Sequence, residues 1–563
     1  MATIIAKEKK GRRYYYAIQS KRVNGKPRII WQKYLGTVDA IIKRADDARP
    51  QAPREAILFE AGAVAALLRI AQRLGVMEII NQIVPKREQG PSVGHYMLLA
   101  AINRAASPCS KLAIGDWYEQ TVLRRLWGFD RKAFNAQRFW DHMDMVSEQD
   151  IAAIQQLLCQ RIKREFEITP DALLYDTTNF FTFLATTNTR CSLAQRGKSK
   201  QKRNDLRQVG LALLLSRDSQ IPLFHKVYEG NITDVALFQQ VAKEMIDFHR
   251  NTYGKDGQVI MTFDKGNVCD DGMEVLVVAQ QPFIAAMPLN RLPEATLQPL
   301  ECFENVPEMP GTKAMTMEIQ LWGASCRAVL TYTESFFTQQ LNGVIHNLTK
   351  CQKSLADLEN SLQKWRQGKA RGKRPTVQGV KKSIGAILSA QFVKELMPVA
   401  VSDENGLPMI TYEVDHDALE QLIRERLGRT LLIAFNTQCE TSKIIRTYRD
   451  LSQIEDAFKS MKNVDYLRWR PSYHWTTQKL KVHGLYCVVA LLLTALARKK
   501  TAQAKIDLSM HALLSELSAI REVAVIYPQG TLAHRKDHVT LSRMSPRQRK
   551  IAEILEIGEA LRG

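Results

Sequence analysis

Apolar positions along the chain change period several times, and each change predicts a different kind of element. In residues 1–50, Tyr14, Tyr15, Tyr16, Ala17 and Ile18 precede Asn24, Gly25 and Lys26, and Arg28, Ile29, Ile30 and Trp31 follow. That order predicts a β-hairpin closed by Asn-Gly. From 51 to 165 the apolar residues recur at helical spacing, as in Leu67, Leu68, Ile70 and Leu74, which predicts an all-helical region.

The texture shifts at Pro170. ALLYDTTNFFTF (172–183), QVGLALLL (208–215), IPLFHKVY (221–228) and VIMTF (259–263) are short runs rich in apolar, aromatic and β-branched residues, and they predict four strands. Between the third and fourth lies TDVALFQQVAKEMIDF (233–248), with Thr233 as N-cap and Val235, Phe238, Val241 and Ile246 as an apolar stripe. Strands joined through a helix predict an α/β sheet with a crossover. Farther on, Leu341, Leu348, Leu355 and Leu362 fall seven apart, each followed after three residues by Val344, Cys351, Leu358 or Trp365, and this heptad pattern predicts a long helix. LLIAF (431–435) resumes strand texture. The remainder is read as mainly helical, interrupted by Tyr527, Pro528, Gln529 and Gly530.

Composition narrows the function classes. The 563 residues are 45% hydrophobic and 24% charged, which is globular usage and too long for a single small module. Lys and Arg number 79 against 58 acids, a net charge of +21, and so basic a chain fits a polyanionic partner, nucleic acid first. The nine cysteines form no C-x-x-C pair, and they read as reduced thiols without a zinc or redox motif. The apolar run at 484–497 is shorter than the roughly 20 residues a bilayer needs, so it is expected to be a buried helix; no membrane partner and a cytoplasmic location are expected.

Two basic stretches stand out. Arg196, Lys198, Lys200, Lys202, Arg203 and Arg207 lie between the first two strands. Lys364 through Lys382 carries eight cations with no acid between Glu359 and Glu395. Each fits either a solvated loop or a set of phosphate contacts.

Three acids sit where an acid is costly: Asp176 inside an apolar strand, Asp264 at the end of one, and Glu455 among Leu451, Ile454, Phe458 and Met461. Carboxylates so placed are normally paired or bind metal, and three from two strands and a helix can converge on a divalent cation. On one continuous helix, Tyr448, Glu455 and Lys462, seven apart, would share a face.

At these residues the chain resembles a known family. YDTTNFFTF around Asp176, YEGNITD (228–234), TFDKGN around Asp264 and YRDLSQIEDAFKSMK (448–462), followed by RWRPSYHW (468–475) and VHGLYCVVALLL (482–493), are similar to the DDE transposases of bacterial insertion sequences. The resemblance is to the branch with a Tyr, Arg, Glu, Lys signature helix and covers about 170–290 and 430–500. It implies an α/β (α+β overall) protein with a ribonuclease H-like core split by an insertion domain between the second and third acids. The expected divisions are a hairpin region at 1–50, a helical region binding DNA ends at 51–165, core at 166–290, insertion at 291–430, core again at 431–500, and a C-terminal helical region at 501–563.

The same resemblance implies that Asp176, Asp264 and Glu455 are catalytic and hold two Mg2+ ions, with Mn2+ as a substitute. Tyr448 and Lys462 would contact transposon-end phosphates, and Arg449, His474, Lys198 and Arg203 are further expected DNA contacts. Partners would be double-stranded DNA, as terminal inverted repeats and target, and a second copy of the chain in a synaptic dimer. The branch usually places Arg three residues after the Tyr; here that position is Leu451. A metal-dependent nuclease of the same fold, or a non-catalytic DNA-binding descendant, are the alternatives.

Overall fold

A computed structural model of the chain describes residues 2–23, 25–47, 52–198, 203–254, 259–404, 406–470, 472–527 and 537–562. The chain forms two compact units, one from residues 1–70, 111–135 and 500–563, the other from 71–110 and 136–499.

In the first unit, β1 (Ala2–Lys9), β2 (Arg12–Val23) and β3 (Lys26–Gly36) make an antiparallel three-stranded sheet, so the expected hairpin gains a strand. Glu8 faces Arg13 and Lys7 faces Tyr14 across β1 and β2, giving the polar N-terminal segment cross-strand partners that its own pattern does not advertise. Asn24 of the expected turn lies outside the described residues, and Gly25 has φ +78. A second sheet is made by β4 (Glu55–Glu60), with the two strands Arg521–Ile526 and His538–Leu541. The segments expected as helical, 51–165 and 501–563, therefore each contribute strand and share one sheet. Ion pairs Arg69–Glu556 (2.7 Å) and Arg125–Glu522 (2.7 Å) join them further. Pro528, Gln529 and Gly530 lie outside the described residues.

The second unit is built on a mixed sheet of nine strands. The four strands expected from sequence form as β5 (Ala172–Phe181), β6 (Gln208–Ser216), β7 (Pro222–Glu229) and β8 (Ile260–Phe263), and β9 (Phe283–Met287) follows. Their spatial order is β7-β6-β5-β8-β9, with β5, β8 and β9 parallel and β6 antiparallel to both neighbours. The helix Asp234–Tyr253 connects β7 to β8; the Thr233 hydroxyl caps it by accepting from the Ala236 amide at 3.4 Å.

The sheet continues past β9 through strands that the sequence pattern hides. β10 (Glu304–Asn305), β11 (Thr312–Leu321) and β12 (Ala324–Thr333) belong to it, as does Arg429–Phe435, which inserts between β12 and β9. Of the residues expected at 291–430, β10–β12 therefore belong to the main sheet, and the stretch between β12 and Arg429–Phe435 packs around a core cluster of its own. It comprises the 33-residue helix Glu334–Arg366, the helix Val377–Ile387, the hairpin Val399–Glu404/Leu407–Tyr412 and the helix His416–Glu425. Leu348, Cys351, Leu355 and Leu362 of the heptad pattern bury into its core with Val380, Ile384 and Leu422. The basic residues after Lys364 are exposed on the loop and helix beyond.

Helices cover both faces of the main sheet. On one, Phe238 packs edge-on against Tyr175 (5.5 Å) and Phe263 (4.7 Å). On the other lie the helices Thr441–Arg449, Ser452–Lys462 and Thr477–Gln503. The last is long and apolar enough to cross a membrane, yet 94% of its most apolar window is buried inside the protein. Gly484 lets it approach β7, since a Cβ there would fall 2.3 Å from a Val227 methyl.

Candidate active site

Parallel pairing of β5 with β8 matches Ala172 to Ile260 and Tyr175 to Phe263. Asp176 and Asp264 each come one residue later, so two half-buried carboxylates stand side by side where the parallel pairing ends, Asp176 within β5 and Asp264 just past β8. Tyr175 and Phe263 turn toward the Asp234–Tyr253 helix, so strand alternation turns both acids toward the opposite helical layer. The C-terminal ends of parallel strands are where open α/β sheets bind ligands.

Two side chains from that layer reach the same place. The Tyr448 hydroxyl donates to Asp264 Oδ1 at 3.0 Å. Burial first, and the Asp264 charge second, push this phenol well above its usual range, so it stays a protonated donor. Lys462 Nζ donates to Thr178 Oγ1 at 2.6 Å and lies 5.7 Å from the Phe180 ring centre. Thr178 and Phe180 follow Asp176 at alternate positions of β5 and share its face.

Tyr448, Glu455 and Lys462 do not occupy one helix. The segment breaks into Thr441–Arg449 and Ser452–Lys462, and around the joint the amides of Leu451, Gln453 and Ile454 bond to carbonyls only three residues back. Such i→i+3 bonding winds tighter than an α-helix and shifts the phase on which the seven-residue stripe depends. Glu455 is exposed in the first turn of the second helix, which packs on β5. Among the described residues no three Asp, Glu, His or Cys side chains form a ready-made metal cluster. The strand carboxylates supply hard oxygen donors of the kind Mg2+ takes.

Other expected contacts go elsewhere. Arg449 donates to the Thr312 and Thr333 hydroxyls, both at 2.9 Å, on β11 and β12, which are separated from β8 by Arg429–Phe435 and β9. It ties the sheet extension to the helix, and burial lowers its pKa. His474, expected at DNA, is buried; its Nε2 lies 3.2 Å from the Tyr486 hydroxyl, which also contacts His483 Nδ1 at 2.5 Å, while His483 Nε2 meets the Trp469 carbonyl at 2.8 Å. That chain of polar contacts links His474 to the Trp469 carbonyl, and Trp469 stacks on Phe180 at 4.5 Å.

Lys198 is exposed, its carbonyl held by Asn179 (3.2 Å) and Gln208 (3.3 Å). Arg203 pairs with Asp205 through two 2.9 Å bonds and sits 5.4 Å from the Phe181 ring. Lys200 and Lys202 lie outside the described residues. Arg470 approaches Phe181 to 4.3 Å. Its pKa is lowered by burial and then by the charges of Arg468 and Arg203, so a positive rim gathers where β5 ends.

Sequence reasoning missed the support behind Asp176. Thr177 Oγ1 donates to Asp234 Oδ1 at 2.6 Å on the opposite face of β5. The Tyr228 ring, buried nearby, fills the space over Gly210, where a Cβ would fall 2.1 Å from it. Tyr228 and Asp234 both belong to YEGNITD, so that segment braces the strand carrying Asp176. The available signal was the Tyr and the Asp at the two ends of that motif.

No family model and no curated protein matches this chain. Among solved structures the chain is similar to the piggyBac transposase in its synaptic complex with hairpin DNA, seen by cryo-EM, at 10% identity and a TM-score of 0.37 over 80% of this chain and 79% of that one.

Proposed function

We propose that this protein is a DNA transposase that cuts and joins DNA at the paired carboxylates of Asp176 and Asp264, and that its β7-β6-β5-β8-β9 sheet is a ribonuclease H-like core. The carrying observation is the placement of Asp176 and Asp264 as neighbours on one face, with Tyr448 and Lys462 brought to that face from the following helices. The strand order, with its single antiparallel strand β6 between β5 and β7, supports the same reading.

On this proposal Asp176 and Asp264 hold divalent cations, and Glu455 supplies the third carboxylate from the helix over β5. Mg2+, or Mn2+ in its place, would activate the attacking oxygen and stabilise the leaving one when bound. Tyr448 donates to one Asp264 oxygen and fixes that carboxylate's orientation. Lys462, Lys198, Arg203 and Arg470 place positive charge around the strand ends, where phosphates of a terminal inverted repeat would lie. Water attack forms a new P–O bond and breaks the P–O3′ bond, freeing a 3′ hydroxyl. That hydroxyl then attacks a target phosphodiester, expelling its 3′ oxygen. Joining two ends calls for two copies of the chain.

Asp176→Asn and Asp264→Asn should each lower Mg2+-dependent cleavage of a duplex carrying the inverted repeat by at least about a hundredfold while leaving its binding nearly intact, because charge is lost and shape kept. Cleavage at parental rate in either variant overturns the assignment. Cleavage without joining of the freed 3′ end would identify a nuclease of the same fold.

A further inference from the structure

At the start of β5 one guanidinium holds three elements together. Arg217 sits half-buried in the turn between β6 and β7. Its Nε and Nη2 donate to the two carboxylate oxygens of Asp171 at 3.1 and 2.6 Å, and its Nη1 donates to Asp450 Oδ2 at 3.3 Å. Asp171 immediately precedes β5, and its carbonyl accepts the Ile260 amide at 3.2 Å, beside the Ala172–Ile260 pair that begins the register of β5 on β8. The Arg217 amide donates to the Ala172 carbonyl at 3.0 Å, so main chain and side chain hold the same point. Asp450 is the joint between Thr441–Arg449 and Ser452–Lys462. Its amide donates to the Arg446 carbonyl at 3.0 Å, closing one helix, and its carbonyl accepts the Gln453 amide at 2.9 Å, opening the other. Lys443 Nζ lies 3.4 Å from Asp171 Oδ2, so Arg217 and Lys443 balance the charges of Asp171 and Asp450.

We infer that Arg217 is a positioning residue that couples the register of the strands bearing Asp176 and Asp264 to the joint between the helices bearing Tyr448 and Glu455. The inference deepens the proposed function and rests on it for the roles of those four side chains. Asp171 is five residues from Asp176, roughly 16 Å along a strand, so Arg217 acts through its two carboxylates and not on a substrate at the paired acids. The joint needs a tether because its i→i+3 turn does not by itself fix the rotation of the second helix, and a slip of one residue would swing Glu455 by about 100°. The Asp450 side chain supplies that tether. The planar fork of Arg can serve two carboxylates at once, whereas a Lys ammonium is a point charge without a fixed fork. The Arg217 side chain is 19% exposed against 47% for Lys443, so its ion pairs are screened less than an ordinary surface pair.

The test uses the full chain as Arg217→Lys, Asp450→Asn and the double variant. Hydrogen exchange, read by mass spectrometry without metal or DNA, should rise about tenfold in peptides covering the joint at 446–455 and stay parental in peptides covering β6. Single-turnover, Mg2+-dependent cleavage of a pre-bound duplex should slow about tenfold in each single variant, the worth of one hydrogen bond between charged groups, and no further in the double. If Arg217→Lys loses its fold, Asp450→Asn, which leaves the fork on Asp171 intact, carries the same comparison with the parent. Exchange unchanged at the joint, exchange raised evenly along the chain, or losses that add up in the double overturn the inference. A parent without metal-dependent cleavage, whose variants still loosen at the joint alone, sinks the transposase reading while the coupling stands. Cleavage by the parent that the variants keep at full rate sinks the positioning role alone.

Discussion

Single side chains at the strand ends divide into those that act on the site and those that hold the protein around it. Tyr448 belongs to the first group through its bond to Asp264, so Tyr448→Phe should slow single-turnover cleavage about tenfold, the worth of one hydrogen bond to a charged group, with little change in melting temperature. An unchanged rate would show that Asp264 needs no such partner. Lys462 and Arg449 separate more sharply. Lys462→Ala should depress cleavage on a pre-bound end, whereas Arg449→Ala, which frees Thr312 and Thr333, should instead lower thermal stability. The reverse pattern would place Arg449 at the phosphate and Lys462 in the scaffold. Buried His225 is a scaffold group whose pKa burial lowers from 6.5 to about 3. The folded state keeps it neutral, so its contribution is intact above pH 6.5 and is lost as pH falls below that value, where the unfolded chain takes up the proton. Urea midpoints should drop between pH 6.5 and 4, and less so in His225→Gln.

At the scale of elements, close approaches decide what the strands can carry. Gly230, in the turn after β7, would place a Cβ 1.9 Å from the Gln208 carbonyl oxygen, and a backbone atom cannot swing aside as a side-chain tip can. Gly230→Ala should cost about 1–3 kcal/mol, read from denaturant unfolding, and should shift the loop that carries Lys198, because Gln208 Nε2 bonds to both the Gly230 carbonyl (2.8 Å) and the Lys198 carbonyl (3.3 Å). Parental stability would mean the turn relaxes freely. The broken helix is a second such element. Tyr448 and Lys462 each find a partner on the sheet despite the phase change at Leu451, because each belongs to its own helix and the helices pack on different strands, Thr441–Arg449 on β8 and β9 and Ser452–Lys462 on β5.

For the molecule as a whole, charge is the property with the broadest consequence. With +21 net charge and exposed cations at the N-terminal sheet, the β5 rim and the insertion, duplex binding should fall steeply with salt. Six to ten phosphate contacts correspond to a loss of about 10³–10⁵ in affinity between roughly 50 and 200 mM. A flat response measured by fluorescence anisotropy would remove DNA as the partner.

Much of this was present in local pattern. The strands holding Asp176 and Asp264, the Thr233 cap and the heptad helix follow from apolar period and side-chain chemistry, which act within a few residues and so can be read from order alone. Tertiary structure decided the rest. β1 and β11 are half-polar strands that pair with the next strand along the chain, while Glu55–Glu60 pairs with Arg521–Ile526, and no local period encodes a partner hundreds of residues distant. Likewise the two acids became neighbours only through the register of β5 on β8. His474 and Arg449 were drawn away from the expected surface by packing and hydrogen bonding, which depend on what surrounds a side chain and not on what precedes it.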